Sequence, residues 1–138
     1  MKSVELGKDE LSQIAELIKQ ILPDGGVVIL QGDLAAGKTT LVQSVAKSFG
    51  IDEAVTSPTF SLQQCYGETL YHYDIYNKGV EHFLALGMLE ELERPGYHFV
   101  EWGDDTLIGL LRSAAMETVV IKIEKCADDK RCYEVEHA

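Results

Sequence analysis

Apolar and polar positions along the chain follow two periods. Leu11, Ile14, Leu17, Ile18, Ile21 and Leu22 recur at helical spacing and fall on one stripe, which predicts an amphipathic helix. Asp9 and Glu10 suit its N-terminus, and Pro23-Asp24-Gly25-Gly26 stops it. Leu41, Val42, Val45, Ala46 and Phe49 make a second core-facing stripe, closed by Gly50 in the manner of a C-cap. A third helix is expected over residues 80–93, where Val80, Phe83, Leu84, Leu86, Met88, Leu89 and Leu92 are apolar and Arg94-Pro95-Gly96 breaks the pattern. Asp104-Asp105 caps a short helix reaching about Leu111.

Between these lie segments of strand character. Val27 to Leu30 is a β-branched apolar run of the kind a buried strand carries. Ser3 to Leu6 alternates weakly, as a short edge strand does. Phe60–Tyr66 and Leu70–Tyr76, separated by Gly67-Glu68, read as a hairpin, with Tyr71, Tyr73 and Ile75 on one face and His72, Asp74 and Tyr76 on the other. Tyr97 to Trp102 is a further buried strand that ends in an acid. Thr118 to Lys125 alternates through Val119, Ile121 and Ile123, Asp128-Asp129 turns it, and Cys132 to Val135 pairs back. Strands alternating with helices, plus a hairpin, predict a single α/β domain over residues 1–138, a mixed sheet with helices on both faces.

The candidate chemistry sits where the first buried strand meets the second helix. Gly32, four residues, then Gly37-Lys38-Thr39 is the phosphate-binding P-loop spacing. Glycines let backbone N–H groups turn inward around phosphate oxygens. The helix opening at Lys38 points its positive dipole end at the same anion. Lys38 reaches the terminal phosphates in such a loop, and the Thr39 hydroxyl ligates Mg²⁺. Strand before and helix after supply the context that the motif requires.

Charge narrows the partners. The net charge of −11 repels nucleic acid and excludes a broad basic footprint. Three cysteines, Cys65, Cys126 and Cys132, without a CxxC pair predict reduced thiols rather than a zinc site or redox pair. With no run of eighteen apolar residues and no N-terminal signal pattern, a soluble cytoplasmic protein is expected.

A P-loop binds phosphate, and hydrolysis needs a carboxylate for the cation and an oriented water. Glu101 ends the strand Tyr97–Val100 as a Walker-B acid does, and Asp74 lies in the polar register of the hairpin strand. Thr56, Ser57 and Thr59 offer hydroxyls, either for a loop that closes over a terminal phosphate or for ordinary turn chemistry. Trp102 either packs near the nucleotide or fills core. His72 either contacts the site or is a satisfied sheet histidine. His82, His98 and His137 show no ligand spacing.

Taken together, these segments resemble the TsaE family of small bacterial P-loop ATPases. The likeness runs through Gly32–Thr40, Thr56–Phe60, Tyr71–Tyr76, Leu86-Gly87-Met88 and Val100-Glu101-Trp102, nearly the whole chain. The resemblance implies ATP and Mg²⁺ as cofactors. It assigns Gly32, Asp33, Ala35, Ala36, Gly37, Lys38, Thr39, Thr40, Thr59, Trp102 and, at the C-terminal hairpin, Arg131 to the nucleotide. Thr39 and Glu101 go to the metal, and Lys38, Asp74 and Glu101 to catalysis. It further implies partners TsaB and TsaD in making threonylcarbamoyladenosine beside the tRNA anticodon. Contact with tRNA would run only through those partners, without a membrane, and with a homodimer left open. Two positions depart from the family pattern. Ala35 stands where glycine is usual, which costs roughly 1 kcal/mol if that position needs positive φ. Asn77 stands where arginine is usual.

Two rival readings share the P-loop. A small-molecule kinase would gather arginines around transferred phosphate, and this chain has only Arg94, Arg112 and Arg131. A nucleotide-gated interaction module would bind ATP with negligible turnover. Slow intrinsic hydrolysis is expected on either the ATPase or the module reading, since no histidine stands out as a general base.

Overall fold

In a computed structural model, residues 2–32, 37–51, 63–67, 69–75, 79–127 and 129–137 are described. Their strands are β1 (Lys2–Gly7), β2 (Gly25–Gln31), β3 (Gln63–Tyr66), β4 (Leu70–Asp74), β5 (Gly96–Glu101), β6 (Thr118–Ala127) and β7 (Lys130–His137). The helices are α1 (Ser12–Ile21), α2 (Lys38–Ser48), α3 (Gly79–Ala85), α4 (Met88–Glu91) and α5 (Asp105–Ser113). One sheet runs in the order β1-β7-β6-β2-β5-β4-β3. The inner strands β6, β2, β5 and β4 are parallel, and antiparallel hairpins close both sides. β1 is the outer edge strand, antiparallel to β7.

The two faces carry separate cores. Leu11 just before α1, Ile14 and Ile18 of α1, and Leu41, Val42 and Val45 of α2 pack on Val28, Leu30, Phe99, Val119 and Ile121. Phe83, Leu92, Leu107 and Leu111 pack on Val27, Ile29, Tyr73 and Val100. The central strands are therefore buried on both sides, which is why Val27 to Leu30 reads as an unbroken apolar run rather than an alternating one. Asp104 caps α5 as expected, its side chain accepting from the Leu107 N–H at 3.0 Å. No helix among the described residues is long and apolar enough to cross a membrane.

Two expectations are corrected. The helix expected over residues 80–93 is two short helices, because Gly87 takes a left-handed conformation (φ 74°) between them and leaves Leu86 exposed. The three cysteines are not all free thiols. Cys126 and Cys132 form a disulfide across the β6–β7 hairpin, with Cα atoms 5.9 Å apart, and Cys65 remains free. A register shift between Lys125 and Ala127 brings Cys126 beside Cys132. That irregularity is not visible in the alternation pattern. Of the expected strand Phe60–Tyr66, residues 60–62 lie outside the described set, as do Tyr76, Asn77 and the loop 56–60.

A buried polar network ties β3, β4 and β5 together. The His98 Nε2–H donates to the Arg94 carbonyl at 2.8 Å, so its Nδ1 is the acceptor for the Tyr73 hydroxyl at 2.7 Å. Gln63 donates to the Tyr73 oxygen and to Glu91. Burial pushes the Tyr73 phenol far up, which keeps it a donor.

Burial also lowers the His98 pKa below its ordinary 6.5. The unfolded chain then takes up a proton near that value which the folded chain refuses, so stability falls as pH drops below it. Urea unfolding between pH 7.5 and 5.5 should show this loss, at up to about 1.4 kcal/mol per pH unit, and His98→Gln should flatten the slope. Replacing both Cys126 and Cys132 by serine, or reducing the native chain, should each lower stability by about 2 kcal/mol in thermal unfolding, since the bridge closes only a short loop.

Candidate functional site

The site is built at the carboxyl ends of β2, β4 and β5, where a parallel sheet gathers ligands. Leu30 of β2 lies opposite Glu101 of β5, and Glu101 opposite Asp74 of β4. β2 ends at Gln31, Gly32 follows it, and α2 opens at Lys38, directly after Gly37. Gly37 caps α2 in a left-handed conformation (φ 104°), a geometry that suits a residue without Cβ. Its carbonyl accepts the Leu41 N–H at 3.0 Å, so the first N–H groups of α2 face outward from the helix end with no partner inside the helix.

Lys38, Thr39 and Glu101 meet at this point. Lys38 and Glu101 are buried, at 3% and 4% exposure. The Thr39 hydroxyl donates to Glu101 Oε2 at 2.9 Å. His72, fully buried on β4, places Nε2 in hydrogen-bond contact with the same oxygen. Of its two open readings, His72 therefore takes the site. Lys38 Nζ donates to the Gly32 carbonyl at 2.7 Å and sits 4.0 Å from the centre of the Trp102 ring. Trp102 is thus beside the P-loop lysine, although it also packs on the second core. It adopts φ 68°, uncommon and strained for a bulky residue, directly after Glu101. Gln31 reaches across from β2 to hold the next carbonyl, that of Gly103, at 3.0 Å.

A cleft of about 360 Å³ opens beside the start of α2. Gly37 and Thr40 form one side, and Leu6, Leu11 and Tyr133 give it apolar walls. Lys8, Asp129 and Arg131 stand at its rim, so Arg131 is brought to the P-loop by the β1–β7 pairing, where it lies opposite Leu6. Volume and lining are those of a small-molecule site.

Of the residues singled out in the sequence, Gly32, Gly37, Lys38, Thr39, Thr40, Asp74, Glu101, Trp102 and Arg131 fall in this region. Asp33, Ala35, Ala36 and Thr59 lie outside the described residues. Leu6, Lys8, Leu11, Tyr133 and Gln31 carried no sequence signal for the site. Their roles follow from strand pairings between distant segments. The oxygen donors Thr39 and Glu101 form a hard set that suits Mg²⁺ rather than a softer ion.

Comparison with known proteins agrees in extent and fold. The family described as "Threonylcarbamoyl adenosine biosynthesis protein TsaE" matches residues 7–133. A Treponema pallidum (strain Nichols) protein named tRNA threonylcarbamoyladenosine biosynthesis protein TsaE is 36% identical over 134 residues, covering 95% of this chain and 96% of its own. A Bacillus subtilis (strain 168) protein of the same name is 36% identical over 126 residues, covering 89% and 77%. The crystal structure of YdiB from Bacillus subtilis superposes with a TM-score of 0.67 at 30% identity, over 96% of this chain and 83% of that one.

The Thr39–Glu101 bond is testable without any ligand. Thr39→Val leaves a buried carboxylate short of a donor and should cost about 1–3 kcal/mol in urea unfolding, with Thr39→Ser recovering most of it.

Proposed function

Because this chain belongs to the TsaE family of threonylcarbamoyl adenosine biosynthesis proteins, we propose that it is the Mg²⁺-dependent ATPase of that tRNA modification, acting with TsaB and TsaD. The observation that carries the reading is the hydrogen bond from Thr39 to the buried Glu101 at the N-terminus of α2, beside the buried Lys38. Because the Thr39 proton goes to Glu101, the lone pairs of its oxygen are left for a cation. Mg²⁺ held by Thr39 and Glu101 would neutralise phosphate charge and draw electrons from the terminal phosphoryl group. Lys38, released from the Gly32 carbonyl, supplies a compact positive charge to the terminal phosphates. The N–H groups at the start of α2, where the positive end of the helix dipole lies, receive the phosphate oxygens.

The adjoining cleft suits the nucleoside. Leu6, Leu11 and the Tyr133 ring offer apolar surface to a base, and at its rim the two cations Lys8 and Arg131 outnumber the one acid, Asp129. Arg131 is the only one of the three arginines that lines this cleft; Arg94 is exposed on Glu91, and Arg112 lies on α5. That distribution favours hydrolysis over transfer to a bound anionic substrate.

Turnover by the chain alone is slow on this reading. Glu101 Oε2 already accepts from Thr39 and His72, so it is poorly placed to take a proton from water. Completion of the site falls to TsaB and TsaD, and ATP cleavage resets their complex for the next adenosine. The acidic surface leaves tRNA contact to those partners.

Phosphate release from Mg-ATP, by the chain alone and with TsaB and TsaD, tests the reading. Release should be slow alone and rise at least tenfold with the partners, and Lys38→Ala should abolish the stimulated part. Equal release by Lys38→Ala, or failure of the native chain to bind ATP, would overturn it.

A further inference from the structure

His72 and His98 are both fully buried sheet histidines, yet they are used differently. His98 satisfies both ring nitrogens, one on the Tyr73 hydroxyl and one on the Arg94 carbonyl. That is the pattern of a histidine that holds a fold together. His72 directs Nε2 at Glu101, and its buried Nδ1 has no hydrogen-bond partner among the described residues. An imidazole with one nitrogen unpartnered is a poor choice for packing alone, since buried polar atoms are ordinarily paired.

What distinguishes the position is the oxygen it meets. Glu101 Oε2 accepts from the Thr39 hydroxyl and also lies against His72 Nε2. The two donors approach from different elements, α2 and β4. With two donors on one oxygen, the carboxylate plane is fixed against rotation, and Oε1 is the oxygen left to face a cation or its water. Thr39 alone would not achieve this, because its hydroxyl turns about its own bond and moves with the helix end.

We propose that His72 is a positioning residue for the metal site: its Nε2–H fixes the carboxylate of Glu101 so that Mg²⁺ binds a preset oxygen. The proposal rests on the ATPase reading, in which Glu101 serves the cation. Donors behind a metal-binding carboxylate are commonly worth 10–100-fold in metal affinity.

The test is a Mg²⁺ titration at saturating non-hydrolysable ATP analogue, followed through Trp102, the chain's single tryptophan. Native chain, His72→Phe, His72→Asn and His72→Gln are compared. Phenylalanine keeps a ring of similar size and removes the donor. Asparagine offers its N–H near the Nδ1 position. Glutamine carries its N–H out to the Nε2 position.

His72→Phe and His72→Asn should bind Mg²⁺ at least tenfold more weakly, and His72→Gln within about threefold of native. Analogue affinity measured in chelator should be the same in all four, which a general loss of structure would not allow. Thermal unfolding identifies any variant that fails to fold, and the Asn-against-Gln contrast then decides, because both are small amides at the same buried site. Equal Mg²⁺ affinity across the four, or Gln as weak as Asn, would overturn the positioning role while leaving the ATPase reading intact. A native chain that binds the analogue but no Mg²⁺ would remove both.

Discussion

A buried carboxylate needs hydrogen-bond donors, and the arrangement at the end of this sheet follows from supplying them to Glu101. At 4% exposure, Glu101 has little water to solvate it. Its donors arrive from two separate parts of the chain, Thr39 at the start of α2 and His72 on β4. Neither can be moved without leaving the acid poorly solvated. The P-loop helix, the β4 strand and the end of β5 are therefore held in one mutual geometry by a single oxygen. Below this point lie Leu30, Leu41 and Phe99, fully buried, which give the polar cluster a rigid floor.

Strain is placed beside that constraint. Directly after Glu101 the chain turns through Trp102 at a left-handed φ, which a tryptophan adopts only when its surroundings impose it. Those surroundings are on both sides of the turn. Trp102 N–H donates to the Leu30 carbonyl at 3.2 Å, and Gln31 holds the Gly103 carbonyl. At Gly103 itself a Cβ would come within 2.7 Å of Ile29, so only glycine fits there. The turn carries the Trp102 ring over the Lys38 ammonium, at the strand ends where the other site residues meet.

Much of this was legible in the order of residues, and the remainder was hidden for definite reasons. The apolar run Val27–Leu30 followed by the glycine spacing to Lys38 marked the strand, the turn and the helix. Its signal is local, because each residue's role depends on its immediate neighbours. Glu101 was marked by its place after an apolar run, and the Tyr71/Tyr73/Ile75 face by strict alternation. The cleft walls were not legible. Leu6, Lys8, Leu11 and Tyr133 reach Gly37 and Thr40 only because β7 runs between β1 and β6, a pairing that joins the two ends of the chain. The disulfide escaped because it depends on a register shift in one hairpin, and the break at Gly87 because its flanking apolar residues continue a helical period across it. His72 was ambiguous for a different reason. Alternation placed it on the correct face, but a sheet face does not specify which neighbour a ring nitrogen meets.

On the proposed reading, an acidic chain has to hold a polyphosphate, and the distribution of its charge is compatible with that. The net charge of −11 sets a repulsive field at long range, yet at ordinary ionic strength that field is screened over about 8–10 Å. Inside that distance the local groups decide: at the end of α2 the helix terminus, Lys38, Lys8 and Arg131 are positive against the acids Glu101 and Asp129. On the outer side, Glu5, Glu124, Glu134 and Glu136 of β1, β6 and β7 are exposed. A long anionic polymer would have to cover such surfaces as well as the cleft, whereas a nucleotide touches only the cleft. Complexed with Mg²⁺, that nucleotide also carries less negative charge than the free anion, so the repulsion it meets on approach is smaller. On the proposed reading, the same distribution of charge that would admit the metal–nucleotide complex disfavours nucleic acid, and it makes the partner proteins the route from this site to tRNA.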